Sequence, residues 1–398
     1  MFKDLPRNTI LGVQFLFVAF GATVLVPLSV GIDPSIALFS AGVGTLIFHL
    51  VTKGMVPVFL GSSLAFISPI ISATEQFGYA GMLSGIVAVG LVYGIMSVIV
   101  KWKGLKLINN LFPSVVVGPV IMVIGLSLAS VGVAKAQSDW LLAGVTLLTA
   151  IIVVIYTRGL IQLVPIFIGL LVGYILALFL GRVDFSGVES AAWFALPTFT
   201  MPQWNWNAIV YMVPVAIAPL IEHVGDMYAI GAVAEKDFVK KPGLNRTMLG
   251  DGLATAFAGF IGSVPNTTYS EVTGAISLTK VTNPMVLRIS AITAIVFSVV
   301  GKVSGLLKSI PEGVLGGIML LLFGSIATVG IKTLLDSKID LHKSRNQVIL
   351  SVVLTVGIGG AVVEFGNFSM SGIGLAAVVG VLLNLILPEK SKPVKSKK

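Results

Sequence analysis

The chain has 398 residues, 56% of them hydrophobic and only 11% charged, with a mean hydropathy of +1.01. A soluble domain carries about a quarter charged residues to keep its surface wetted, so most of this surface must face lipid. The net charge of +9 is spread among short loops and does not indicate nucleic acid, and the lack of cysteine excludes disulfides, thiolate metal sites and cysteine nucleophiles.

Met1 to Asn8 runs straight into an apolar segment with no small-residue cleavage pattern behind it, so no cleaved signal is expected. Fourteen apolar segments then follow, separated by short polar punctuation. The first seven lie near 10–31, 34–52, 55–73, 79–100, 112–134, 140–157 and 161–181. The second seven lie near 208–233, 247–262, 266–279, 284–301, 311–330, 346–364 and 371–387. Several reach the ~20 residues a helix needs to cross a bilayer.

An even number of spans puts both termini on one side, and 22 of the 26 Lys and Arg fall on that side. They include Lys101, Lys103, Lys106, Lys236, Lys240, Lys241, Arg246, Lys332, Lys338, Lys343, Arg345 and the lysine tail from Lys390. The other side holds only Lys135, Arg182, Lys302 and Lys308. This asymmetry predicts cytoplasmic termini. Residues 183–206, with Trp193, Trp204 and Trp206, read as an interfacial segment with aromatic anchors.

The third and tenth segments look broken. Val56 to Pro69 contains Pro57, Gly61, Ser62, Ser63, Ser68 and Pro69, and Gly262 to Glu271 contains Pro265 and a run of hydroxyl residues, so neither supports a continuous helix. Non-helical backbone at membrane depth is tolerated where protein or a cavity surrounds it. A half-helix starting there presents unpaired N–H groups and a positive dipole end to a polar molecule. Phe112-Pro113 at the fifth segment and Ile310-Pro311 at the twelfth repeat a Pro, Val and Gly pattern 198 residues apart, and Gly61-Ser62 matches Gly262-Ser263 at a similar offset. Two repeats of seven spans each must insert in opposite orientations, the plan of secondary transporters with a site at the breaks.

Glu222 and Asp226 fall inside the eighth segment and Glu271 at the start of the tenth half-helix, where each carboxylate costs about 2.5–3.5 kcal/mol. Spacing of four places Glu222 and Asp226 on one helix face. Crowded carboxylates out of water hold protons that exposed ones release, the chemistry a proton-coupled carrier needs, with sodium as the other cation such a group could take. His223 is turned about 100° from Glu222 and is assigned to packing or helix–helix hydrogen bonding, and Asp251 and Glu364 to the interface. His49, His223 and His342 make no zinc-ligand spacing, so no metal or resident cofactor is expected.

At these residues the chain resembles the nucleobase–ascorbate transporter family, also called nucleobase–cation symporter 2, and within it the bacterial uracil permeases. Phe20 to Pro27, Gly61 to Pro69, Glu222 to Asp226 and Pro265 to Glu271 carry the likeness. The resemblance implies an all-α polytopic membrane protein with 14 transmembrane segments in two inverted repeats, segments 3 and 10 each a short strand plus half-helix. It implies a division into 1–134 (core segments 1–4 and the start of the gate), 135–207 (gate segments 6–7 and the interfacial loop), 208–303 (core segments 8–11) and 304–398 (gate segments 12–14 and a basic tail). It also implies proton-coupled uptake of uracil in pyrimidine salvage, alternating access between core and gate, location in the bacterial inner membrane, and a homodimer through the gates. Xanthine, uric acid or another nucleobase is the competing substrate.

By matching position, Glu222 and Glu271 become substrate carboxylates, with Phe66 and Ser270 supplying backbone contacts and Ala65 and Tyr269 beside them. Asp226 matches a proton-coupling position, a role shared with Glu222 and Glu271. The substrate chemistry agrees: uracil offers two N–H donors and two carbonyls on a flat ring, matched by carboxylates, half-helix N–H groups and an aromatic face. Three positions depart from the family pattern: Phe15 after Gln14, Ser270 after Tyr269, and Val272 after Glu271. Glu271, where purine-transporting relatives tend to carry Gln, favours uracil. No Gly-x-x-x-x-Gly-Lys-Ser/Thr motif, nucleophile elbow or base–nucleophile pair is present, which argues against a nucleotide-driven pump or an enzyme.

Overall fold

A computed structural model describes residues 5–104, 112–159, 161–365 and 368–388, so Lys106 and the lysine tail lie outside the described residues. The chain is mostly helical. Among the described residues, six helices are long and apolar enough to cross a membrane, and five shorter apolar ones accompany them. Large apolar side chains that a soluble protein would bury, such as Leu91, Ile95, Leu148, Ile152 and Ile155, stand exposed along helix faces, as lipid contact requires.

The first elements are α1 (Leu5–Ser29), α2 (Pro34–Val51), β1 (Leu60–Ser62) and α3 (Ile67–Lys103). Asp33 starts α2 by accepting from Ser35 N at 2.8 Å, with Pro34 pre-set for the first turn. After β1, a 3₁₀ turn over Leu64–Phe66 leads into α3, which kinks at Gly78 (φ 71°), the boundary between the third and fourth apolar segments. Next come α4 (Ser114–Ser127), α5 (Ala129–Gln137), α6 (Trp140–Tyr156) and α7 (Pro165–Phe179). Together α4 and α5 make one apolar span over Ser114–Gln137, as expected of the fifth segment, with a turn at Leu128.

The surface segment that follows holds α8 (Ser186–Ser190) and is pinned by backbone bonds from Ala195 N to Val299 O (3.0 Å) and Gln203 N to Ala80 O (2.9 Å). Its Trp193, Trp204 and Trp206 are exposed. The chain continues through α9 (Trp206–Met212), α10 (Ile217–Ala234), α11 (Leu244–Ile261), β2 (Asn266–Thr268) and α12 (Ser270–Thr279). It ends with α13 (Pro284–Ser298), α14 (Gly301–Lys308), α15 (Glu312–Asp336), α16 (Ser344–Ile358), β3 (Val362–Phe365), β4 (Phe368–Ser371) and α17 (Gly372–Ile386). Glu364 lies in β3, paired backbone to backbone with β4.

The helices pack as two groups. In one, α3 lies on α11, α2 on α11 and α13, and α1 on α13; in the other, α15 lies on α4, α5 and α6, and α16 on α4 and α17. Small residues let backbones approach closely at both centres. A Cβ on Gly90 would stand 2.5 Å from Ala256 N and Gly252 O, and one on Gly125 2.5 Å from Phe323 O. The matched prolines, Pro113 and Pro311, occupy the same place, each capping the start of a long apolar helix in extended backbone (ψ 157° and 146°). The Gly61-Ser62 and Gly262-Ser263 match does not survive in three dimensions. Gly61 and Ser62 lie in β1, whereas Gly262 ends α11 with φ 87° and β2 begins four residues later.

Candidate functional site

The two broken segments meet. β1 and β2 pair antiparallel, Leu60 opposite Thr268, Gly61 opposite Thr267 and Ser62 opposite Asn266, and Ser63 N adds a bond to Pro265 O at 2.9 Å. All six strand residues are buried. Both faces are tied to neighbouring helices. Leu60 N donates to Thr45 Oγ1 (2.8 Å) and Ser62 Oγ to Thr23 O (3.2 Å) on one side. On the other, Asn266 Nδ2 donates to Ser40 Oγ (2.9 Å) and Ala254 O (3.2 Å), while Thr255 Oγ1 donates to Asn266 O (2.7 Å). These bonds satisfy backbone that no helix could satisfy, which is why hydroxyl and amide residues crowd the two motifs.

The starts of α3 and α12 emerge from this ladder, and α10 runs beside α12 and β2. Asp226 on α10 is buried (5% exposed) and takes hydrogen bonds from Thr268 Oγ1 and Ser270 Oγ, each at 2.5 Å, so it ties α10 to β2 and to the first turn of α12. One turn earlier, Glu222 is exposed although it sits inside an apolar helix, and its carboxylate accepts no hydrogen bond from the described residues. Glu271, in the first turn of α12, is exposed as well. The three carboxylates are close enough to feel one another's charge. Two acids are therefore exposed beside the ladder, and the third is held by two hydroxyls.

The remaining predicted residues divide. Ala65 (4% exposed) and Phe66 (1%) lie in the 3₁₀ turn before α3, beside the ladder. Tyr269 is buried and donates to Ser62 O at 2.8 Å, so its hydroxyl locks the two breaks together. Ser270 is exposed, and its hydroxyl donates to Asp226. Of the departures, Phe15 and Val272 are both buried in apolar packing (2% and 1% exposed).

Asp251 requires correction. It is not interfacial: it has no exposed surface and lies two turns inside α11, with Oδ2 2.9 Å from His223 Nδ1. His223, expected to serve packing or helix–helix hydrogen bonding, does so through this contact and through Nε2 to Thr247 Oγ1 at 3.0 Å. Sequence reasoning missed the partnership because Asp251 was placed by its distance from a segment end. The readable signal was Thr247 and Asp251 four apart, one face of α11 offering two oxygens to an imidazole.

On the opposite rim of the α1–α2 group, Asp33 also takes a hydrogen bond from Ser304 Oγ (2.8 Å) and an ion pair from Lys308. Burial pushes its carboxyl up, but the bonds from Lys308, Ser35 and Ser304 outweigh that and leave it below the usual carboxylate range.

An apolar helical body with ionisable side chains opening into a break of two segments defines an integral membrane permease. A family model described as "Permease family" matches residues 7–365, and the chain belongs to that family, the nucleobase–ascorbate transporters that its motifs resemble. It is a multi-pass transporter, not an enzyme. It is 50% identical over 397 residues to the "Probable uracil permease" of Haemophilus influenzae, covering 98% of this chain and 96% of that one. It is 45% identical over 394 residues to the "Uracil permease" of Bacillus caldolyticus, covering 95% and 91%. In fold it resembles the transmembrane domain of the cyanobacterial bicarbonate transporter BicA (TM-score 0.66, 15% identity, 97% and 98% covered).

Proposed function

We propose that this chain is a uracil permease of the bacterial inner membrane that couples uptake to protons. The observation that carries the reading is the arrangement of Glu222 and Glu271, exposed near a two-strand ladder, with Asp226 hydrogen-bonded to Thr268 and Ser270 beside them. Uracil is flat and carries two N–H groups, which the two glutamates would accept, while the first turns of α3 and α12 would donate to its carbonyls. Relatives named uracil permease at 45–50% identity support the substrate. Two acidic acceptors match uracil's paired donors. Sodium in place of the proton is the competing coupling ion.

In this reading the chain crosses the membrane fourteen times, in two inverted repeats, with both termini cytoplasmic. The crossings are α1, α2, β1 with α3 to Gly78, the rest of α3, α4 with α5, α6, α7, α9 with α10, α11, β2 with α12, α13, α15, α16 and α17. Two observations support the inversion. β1 and β2 run antiparallel, and so do the α4–α5 span and α15, for Gly118 faces Gly330, Gly125 faces Phe323 and Ala136 faces Gly316. The helix group containing the ladder is the core, and the group around α4 and α15 is the gate through which two copies would associate. Movement of core against gate, rocking or elevator-like, would expose the glutamates to either side in turn.

Uptake of labelled uracil into proteoliposomes tests this. Uptake abolished by a protonophore and competed by unlabelled uracil but not xanthine is the expected result. Competition by xanthine would move the substrate to purines, and sodium-dependent uptake insensitive to the protonophore would replace the coupling ion.

A further inference from the structure

A cavity of about 590 Å³ that the proposed transport site does not use lies where three connections meet. It is lined by Gly54 and Met55 between α2 and β1, by Pro284 at the start of α13, and by Lys236, Lys240 and Lys241 between α10 and α11. The lysine turn is ordered by its own bonds. Glu235 ends α10 in left-handed backbone (φ 53°), Lys236 N donates to Gly231 O (2.9 Å), and Phe238 is buried in apolar packing (2% exposed). Asp237, the one acid in the lining, accepts from Lys240 N at Oδ1 (3.0 Å), and its carbonyl accepts from Lys241 N (2.9 Å).

Three lysines against one aspartate leave the lining two charges positive. Among the described residues no carboxylate pairs with Lys236, Lys240 or Lys241. Arg288, one turn into α13, adds a fourth cation against Gly54. Its Nη2 donates to Gly54 O (3.4 Å) and its Nε to His49 Nδ1 (3.3 Å), and a Cβ at Gly54 would overlap the guanidinium. It too meets no carboxylate among the described residues. Cations gathered around a hollow repel one another, and an anion seated there removes that cost. The bias of basic residues that fixes orientation accounts for lysines on one side of a membrane, but not for three around one cavity. Met55, Phe238 and Pro284 add apolar lining beside the charges, which a bare phosphate leaves unused and a phospholipid covers with its glycerol and first methylenes.

We propose that this cavity binds the phosphate of an anionic phospholipid, held by Lys236, Lys240 and Lys241. The lipid ties the α2–β1 connection to the turn that follows α10, and so braces the end of the helix that carries Glu222 and Asp226. The site is separate from the exposed glutamates, and its occupant is the same whichever nucleobase or coupling ion the protein carries.

The full chain in uncharged detergent is titrated with dioctanoyl phosphatidylglycerol and followed by calorimetry and thermal unfolding. The expected result is binding about tenfold tighter than dioctanoyl phosphatidylcholine, with a raised unfolding midpoint. Lys236→Gln, Lys240→Gln and Lys241→Gln together weaken that binding by roughly 10- to 100-fold. Lys332→Gln, Lys338→Gln and Lys343→Gln remove the same charge from exposed positions at and after the end of α15, and leave binding within about twofold of the parent. Equal losses in the two triple variants would mean diffuse attraction to surface charge and would overturn the site, as would no preference for phosphatidylglycerol. Inorganic phosphate and glycerophosphoglycerol, the headgroup without chains, serve as competitors. Either one binding as tightly as the lipid would overturn the lipid as occupant in favour of a free phosphate. Amine acylation of the parent protein needs no folded variant. Phosphatidylglycerol slows labelling of Lys236, Lys240 and Lys241 and not of Lys332, Lys338 and Lys343; uniform protection, or none, overturns the proposal. No readout involves uracil, so failure of the transport reading leaves these outcomes intact.

Discussion

The two breaks in the membrane body look alike in backbone and differ in chemistry. The first, β1 and its 3₁₀ turn, presents Leu60, Gly61, Ser62, Leu64, Ala65 and Phe66, with no titratable side chain, and is anchored by the Thr45 hydroxyl and the Thr23 backbone carbonyl. The second, β2 and the start of α12, presents exposed Ser270 and Glu271 and binds Asp226 from the side. A strand and a half-helix set up the same positive end in both places; charge is delivered to only one. In the proposed reading the first break is frame and backbone donor, and the second carries the coupling carboxylates.

If that division is right, the largest effect follows changes on the charged side. Asp226→Asn should abolish uphill accumulation of uracil under a proton gradient, a loss of tenfold or more, while exchange of labelled for unlabelled uracil continues; full accumulation by the variant would remove Asp226 from the coupling role. Glu222→Gln should weaken uracil binding by roughly 10- to 100-fold, the loss of a charge-assisted hydrogen bond of about 1.5–3 kcal/mol, measurable by calorimetry. Unchanged affinity would place the substrate elsewhere.

Changes on the uncharged side should act through fit. A Cβ at Gly61 would stand 2.6 Å from Tyr269 Cζ and 2.7 Å from Thr23 Oγ1, so Gly61→Val should destabilise the protein by about 1–3 kcal/mol, seen in thermal unfolding. Tyr269→Phe removes the bond to Ser62 O and should cost about 1 kcal/mol with proton coupling intact, a loss of coupling being the result that erases the contrast between the breaks.

The smallest effect is at the rim. The Asp33 carboxyl is held below its ordinary value, so its stabilisation is fully present above the ordinary carboxylate range and fades as pH falls through the lowered value. Asp33→Asn should flatten that acid limb of the stability curve and leave neutral-pH uptake unchanged.

What was readable from the sequence was local. Apolar runs, the prolines before α4 and α15, and the hydroxyl-rich motifs that cannot be helix all sit where local rules place them. The misjudged features depend on contacts between segments. Asp251 looked peripheral because its partner His223 lies 28 residues earlier on another helix. Gly61 and Gly262 resemble each other in sequence and occupy different positions, because a short match carries no information about which residue begins a strand.

The ladder between β1 and β2 also bears on how such a chain can change over generations. Two stretches more than 200 residues apart form one object three residue pairs long. A substitution accepted in either stretch must be accepted by the other, across a contact as close as Gly61 to the Tyr269 ring. At this ladder the two halves of the chain are inherited as a single unit.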